Sequence, residues 1–433
     1  MRILILSDNF PPERDGGAER IAFNYFNGLK NFGHDVFVMT TTSSHHPEER
    51  SDEGSLNCFC HPRESGDPVD PNSNIFYLYW PQKYSKFKHY FGLYNPRANK
   101  IFKKILAEIK PDIVHAHNVH EILGLNLLKL AKKSGTKVFL TVHDCALFHY
   151  GKLIEFIPQI DKNQIDQNFN YKVNIWQQIK RYQKSFVPWR KTIIKYYLKY
   201  ADKIFAVSLE LKKALEQNGI KNIEVIHNGI DINKWQTTSE QIEKFKNDYQ
   251  LQNKKIIFWG GRLETLKGGE LLLDALELVA KQNSNFILMI VGKKDIAAEK
   301  FINSAQKKNI STTITDWLPK EQMPVAYGAS DLVAVPSAYL DPFPTINLEA
   351  MAIAKPIIGT CLGGTPEIVQ NEKTGYVINP YNKETFAEKI IALLDNPELS
   401  RRFGNAGFER VQNEFSLKKQ LIITIKYYEQ NYT

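Results

Sequence analysis

No stretch of this 433-residue sequence approaches the ~18 uninterrupted apolar residues of a membrane-spanning helix. Its first apolar run, Ile3 to Leu6, is far shorter than a secretory leader requires, so the sequence predicts a cytoplasmic protein. Cysteine is sparse. Cys58, Cys60, Cys145 and Cys361 are too few for a disulfide scaffold, and the one close pair, Cys58 and Cys60, lacks the second pair of a zinc site. Also missing is a Gly-x-Gly-x-x-Gly after the opening strand, which argues against a nicotinamide dehydrogenase. Neither Asp-x-Asp nor clustered histidine ligands occur, so no catalytic metal and no cofactor are expected.

What is present is the balance of a globular protein, with 43% hydrophobic and 24% charged residues. A single core stops growing at roughly 250 to 300 residues, so this length predicts two domains. Lys and Arg outnumber Asp and Glu by 56 to 47, and the net charge of +9 favours anionic partners. Nucleic acid is supported by that charge alone and is not expected as a partner.

Short apolar runs that end in polar residues alternate with helical patterns along the chain. Arg2 to Ser7, Val36 to Thr41, Asp112 to Ala116, Lys137 to Val142, Lys203 to Ser208 and Ile223 to His227 read as strands. After a polar stretch from Asn233 to Asn253, read as the linker, the pattern restarts at Lys255 and continues through Phe286 to Val291, Leu332 to Pro336 and Pro356 to Thr360. Helices are predicted at Gly269 to Lys281, Thr345 to Ala354 and Lys383 to Leu394. Such alternation predicts an α/β protein of two doubly wound, Rossmann-like domains, over residues 1–234 and 235–412, with a closing segment at 413–433. Residues 43–72 break the alternation and read as a surface insertion; its His61-Pro62-Arg63-Glu64-Ser65-Gly66-Asp67-Pro68 resembles the translated palindromic repeats that invade some bacterial genes.

Four segments carry candidate chemistry. In the first, a strand runs into Gly260-Gly261-Arg262, with Lys267 five residues later. Ligands of doubly wound domains sit at the carboxyl ends of strands, so both cations would face a cleft and could meet a diphosphate. The second runs from Asp341 through Pro344, Thr345 and Ile346 to Glu349. Pro344 stands where a helix can begin, the free amides beyond it can hold a phosphate or a hydroxyl, and Glu349 could accept hydrogen bonds from a vicinal diol such as a ribose. Third, Gly16-Gly17 at a helix start could let a phosphate approach the backbone. Fourth, His143 and Asp144 end a strand on the acceptor side, while His115 and His117 share one face of another. Taken singly, each segment could equally be ordinary surface or turn chemistry.

Taken together, the residues resemble the retaining glycosyltransferases of family four, whose architecture is GT-B. The likeness runs through Pro11-Pro12 and Gly16 to Arg20, Gly33 to Val36, Thr141 to Asp144, Ala206 to Ser208, Asn228 to Asp231, Gly261-Arg262 with Lys267-Gly268, Pro336-Ser337, and Gly363 to Glu367. The family's acidic pair, with seven residues between its members, is matched by Asp341 and Glu349. The resemblance implies two Rossmann-like domains facing across a cleft, with a C-terminal helix crossing back to the N-terminal domain. It implies that Arg262 and Lys267 bind the diphosphate of a nucleotide sugar and stabilise it as it leaves, and that Glu349 holds the ribose. It further implies that Asp341 meets the transferred sugar, that Gly17 approaches the phosphate, and that His143 lies near sugar and acceptor. The implied activity is a retaining, hexosyl-type glycosyl transfer to a glycan or lipid-linked acceptor. Two positions depart from the family pattern, which has Glu at Asp341 and Gly at Pro344.

From Tyr171 to Lys203 the chain is basic and aromatic, with nine Lys and Arg residues against Asp202 alone and with Trp176, Tyr182, Phe186, Trp189 and Tyr197 interleaved. This is either a surface for anionic membrane, which would put the protein peripherally on the inner face of the cytoplasmic membrane, or a helix and loop flanking the acceptor pocket. A sugar-nucleotide epimerase and a catalytically silent nucleotide-sugar-binding protein are the competing functions.

Overall fold

The computed structural model describes residues 1–14, 16–43, 74–261, 263 and 265–430, and only the backbone at residues 82, 85 and 265. Almost all of the predicted insertion, and Arg262, therefore lie outside the described residues. The N-terminal strands are β1 (Arg2–Leu6), β2 (Asp35–Thr42), β3 (Ile75–Tyr79), β4 (Ile113–His117), β5 (Lys137–Val142), β6 (Lys203–Ala206) and β7 (Ile223–Val225). They form one parallel sheet in the order β3-β2-β1-β4-β5-β6-β7. The second sheet contains β8 (Lys255–Gly260), β9 (Phe286–Val291), β10 (Thr312–Ile314), β11 (Leu332–Val335), β12 (Ile357–Thr360) and β13 (Gly375–Ile378). Its order is β10-β9-β8-β11-β12-β13, again parallel throughout.

Central strands such as β1 and β9 are continuous Ile, Leu, Val and Met runs because helices cover both faces; Ile3 to Leu6 and Leu288 to Ile290 are wholly buried. The strands that the periodicity misses are β3, β10 and β13. All three lie at sheet edges, and β10 and β13 are only three and four residues long. Strand order reverses between β1 and β4 and again between β8 and β11, and the carboxyl ends at those two switch points face a common cleft.

The polar stretch read as a linker is largely helical. Ser239–Asp248 forms a helix closed by a capping box, in which the Gln241 amide donates to Thr238 Oγ1 at 3.3 Å and the Thr238 amide donates to Gln241 Oε1 at 3.0 Å. Phe245 and Ile242 anchor it on the core, two apolar residues too few to stand out from the surrounding Lys, Glu and Gln.

The last helix, Leu417–Gln430, returns to the N-terminal sheet as the resemblance implies. It is preceded by a bridge in which the Ile230 amide donates to Phe415 O and the Leu417 amide to Ile230 O, each at 2.9 Å. It packs on the helix Gly17–Asn31, where a Cβ at Gly28 would collide with the Leu421 side chain. Tyr25 and Thr424 hydroxyls meet at 2.9 Å, and Tyr428 is fully buried in the same cluster as Ile3, Phe139 and Phe205. A second link joins the two halves at Glu367, which accepts from the Leu209 and Glu210 amides at 2.8 and 3.0 Å and from His227 at 2.8 Å. It thereby caps the N-terminus of a helix in the opposite half.

Candidate active site

One cleft of about 810 Å³ lies between the two sheets, and residues from both halves line it. Gly16, Gly17, His143, Asp144, Lys267, Asp341, Pro344, Thr345, Ile346 and Glu349 all meet there. The sequence motifs are scattered over more than three hundred residues, and the two switch points bring them together.

On the C-terminal wall, Lys267 Nζ stands 2.9 Å from Asp341 Oδ2, and the Ser337 hydroxyl donates to the same oxygen at 2.9 Å. Burial alone would push the Asp341 carboxyl up, but the Lys267 ammonium and these hydrogen bonds outweigh it and hold the group below the usual carboxylate range. Lys267 reaches this position because Gly268 turns the chain with φ +77 directly against the Pro336 carbonyl, where a Cβ has no room. Its ammonium also stands 5.4 Å from the centre of the Tyr339 ring, and Lys152 approaches the same ring from the other half at 4.8 Å.

Helix Thr345–Ala352 begins at Pro344, which sits at the N-cap with φ −67. Proline stands naturally at a helix start; Thr345 and Ile346 line the cleft, and in the first turn of a helix their amides have no preceding intrahelical carbonyl to accept them. Glu349 lies one turn in. Its Oε2 accepts from Tyr327 at 2.7 Å and its Oε1 from Thr345 at 3.2 Å, so the carboxylate is held in a fixed orientation. Burial, with the Glu349 charge added, pushes the Tyr327 hydroxyl well up, so it stays a donor.

Directly opposite is the N-terminus of helix Gly17–Asn31, with Gly16 at the N-cap and no side chain capping it. A Cβ on Gly17 would lie 3.9 Å from Thr345 Oγ1, so two helix N-termini from different halves nearly touch across the cleft. Each presents the positive end of a helix dipole, an arrangement suited to an anion.

His143 and Asp144 follow β5 on the N-terminal wall. Asp144 accepts from the Ala146 amide at 2.8 Å and lies 3.5 Å from His120. His143 is 9% exposed, and burial brings its pKa down to about 4 against the opposing pull of Asp144. Its Nε2 meets Nδ1 of His117 at 3.0 Å, and the two rings stack. His115 and His117 do share a face, but that face is turned into the core and both are fully buried.

Several residues that the sequence did not single out line the same cleft: Arg14, Lys320 and Tyr327. The Thr345 to Glu349 contact has helical i, i+4 spacing and could have been read locally. Tyr327 leaves no such signal, because it reaches Glu349 only through the packing of two helices. Asp8, fully buried, accepts from the amides of Glu121, Ile122 and Leu123 and so fixes the loop that carries His120 and Glu121 to the cleft.

Residues 15–234 match the family model for Glycosyltransferase Family 4, and residues 241–410 match that for Glycosyl transferases group 1. The chain is 27% identical to spore coat protein SA of Bacillus subtilis over 222 residues, 48% of this chain and 59% of that protein. It spans about half the length of the first curated relatives it matches. Among solved structures, sucrose-phosphate synthase from Thermosynechococcus elongatus superposes with a TM-score of 0.72 at 19% identity, covering 100% of this chain and 99% of that one. HepE of Anabaena, in complex with UDP and glucose, superposes at 0.67 with 16% identity, covering 99% and 100%. These likenesses are likenesses of fold: two Rossmann-like halves in the GT-B arrangement.

Proposed function

Because the chain belongs to glycosyltransferase family 4, we propose that it transfers a hexosyl group from a nucleotide-diphosphate sugar to a hydroxyl acceptor with retention of anomeric configuration. The observation that carries this reading is the meeting, in one cleft, of the Lys267–Asp341 pair, the oriented Glu349 carboxylate and two opposed helix N-termini. The donor diphosphate lies between the Gly16-Gly17 and Thr345-Ile346 amides, with Lys267 and Arg262 neutralising charge as it departs. Glu349 holds the ribose, Asp341 meets the sugar, and His143 and Asp144 face sugar and acceptor. Attack comes from the face the phosphate leaves, through an oxocarbenium-like state, and the departing phosphate takes the acceptor proton. The cations supply the charge that a metal would otherwise supply. The acceptor is a lipid-linked or envelope glycan, met at the inner face of the cytoplasmic membrane through residues 171–203.

A panel of UDP-, GDP- and ADP-sugars, scored by thermal shift with and without chelator, tests the donor site. One donor should raise the melting temperature equally in both conditions, and Glu349→Ala should abolish the shift. If no donor shifts the folded protein, the reading fails. A second reading, a nucleotide-sugar-binding protein without turnover, draws on the way Lys267 and Ser337 already occupy Asp341; donor binding without transfer or hydrolysis would favour it.

A further inference from the structure

His143 and His117 share a single hydrogen bond, 3.0 Å between His143 Nε2 and His117 Nδ1. Both rings are neutral, because burial lowers both pKa values. Two neutral imidazoles in contact must place one proton between them, and there are two ways to do so. The other nitrogen of His117 decides between them. His117 Nε2 is buried and has no hydrogen-bond partner among the described residues.

If His143 donated, His117 would have to carry its own proton on Nε2, leaving an N–H sealed in the core with no acceptor. If His117 donates from Nδ1, its Nε2 is left as a bare lone pair. An orphaned buried donor is the rarer and costlier of the two. Rings pack against His117, that of Tyr25 at 5.0 Å and that of His115 at 4.4 Å. Both nitrogens of His115 are already engaged, Nδ1 by the Tyr428 hydroxyl at 2.5 Å and Nε2 by the Thr141 hydroxyl at 2.7 Å.

We infer that His117 is a positioning residue: it donates from Nδ1 to His143 and so locks His143 in the tautomer whose proton is on Nδ1. With Nε2 taken, Nδ1 is the ring nitrogen left for a ligand, and in this tautomer it offers a hydrogen bond and cannot accept one. His143 thus presents the cleft with a neutral donor rather than a general base. Its ligand atom is an oxygen with a free lone pair, such as a hydroxyl or ring oxygen of the sugar. The tautomer assignment stands apart from the proposed function; only the identity of the sugar oxygen rests on it.

Long-range proton–nitrogen correlation spectra of histidine-labelled protein at pH 7 read ring tautomers directly. The expected spectrum shows His143 protonated on Nδ1 and bare on Nε2; the reverse pattern, with His117 protonated on Nε2 and pointing at the Tyr25 ring, overturns the inference. His117→Asn places an amide N–H where Nδ1 stands and should keep the His143 pattern, whereas His117→Leu should release it to a mixture. Should the Leu variant not fold, the wild-type and Asn spectra decide alone. With the donor found in the thermal-shift panel, His117→Leu should weaken the sugar nucleotide about tenfold and leave the bare nucleoside diphosphate unchanged. Equal weakening of both would mean a structural role only, and no binding of either would count against the proposed function instead.

Discussion

Lys267 and Asp341 depend on each other in a way their separation of 74 residues conceals. Asp341 has only 8% of its side chain exposed and Lys267 28%, so the pair is half-sheltered, and removing the cation strands the carboxylate. Lys267→Ala is therefore expected to lose roughly 1 to 3 kcal/mol of stability, less than a fully buried pair would. Its effect on catalysis should be larger, about 10²- to 10³-fold in kcat, since the proposed function places the cation where phosphate charge develops. Denaturant unfolding and steady-state kinetics of the same variant separate the two, and a stability loss with undiminished turnover would remove Lys267 from the chemistry. Lys267 and Ser337 both donate to one oxygen of Asp341.

At the level of elements, β4 carries two histidines and a third, His143, directly follows β5, and all three are buried. Burial lowers His115 to about 3 and His143 to about 4, and His117 well below its usual value. In the unfolded chain each takes up a proton near pH 6.5, while in the fold each stays neutral to much lower pH, so unfolding binds protons and acid destabilises. Asp8 opposes this: burial raises it to about 6, so between its unfolded and folded pKa values it is protonated only in the fold. Three histidines outweigh one aspartate. Near pH 5 unfolding should take up about two protons from these groups, a slope of roughly 3 kcal/mol per pH unit. Urea unfolding between pH 4.5 and 6.5 measures the slope, and stability that stays level or rises toward acid would contradict the burial of the column. The alternation of His115 and His117 told in the sequence that they share a face. Which face could not be told, because an alternating strand has the same pattern whether that side meets a cleft or the returning C-terminal helix.

For the molecule as a whole, the basic and aromatic segment 171–203 divides: Tyr171 and Arg190 are buried, Arg190 at the lining of the cleft, while most of its other cations form a surface. Trp176 is 74% exposed, Trp189 56% and Ile175 55%, and their neighbours Lys180, Lys184 and Lys191 are exposed as well. No described helix is long and apolar enough to cross a membrane. Apolar side chains left in water beside cations suit a lipid headgroup boundary, where burial and charge act together. The protein should sediment with anionic liposomes at low salt and be released as salt rises, since exposed charges are screened within about 8 Å at physiological ionic strength. Sedimentation with neutral liposomes alone, or with none, would leave this face to the acceptor pocket.

Pattern along the chain was enough for the parallel two-sheet architecture, the loops that carry Lys267, Asp341 and His143, the start of the Glu349 helix, and, in Thr238 with Gln241, the cap of the helix after Asn233. Those features are written in local periodicity and in glycine and proline placed at element ends, which neighbouring residues decide. Packing alone settles that Tyr327 orients Glu349 and that His117 stands behind His143. Each of these depends on side chains from distant segments meeting at hydrogen-bond distance, and no pattern along the chain encodes which buried nitrogen will lack a partner.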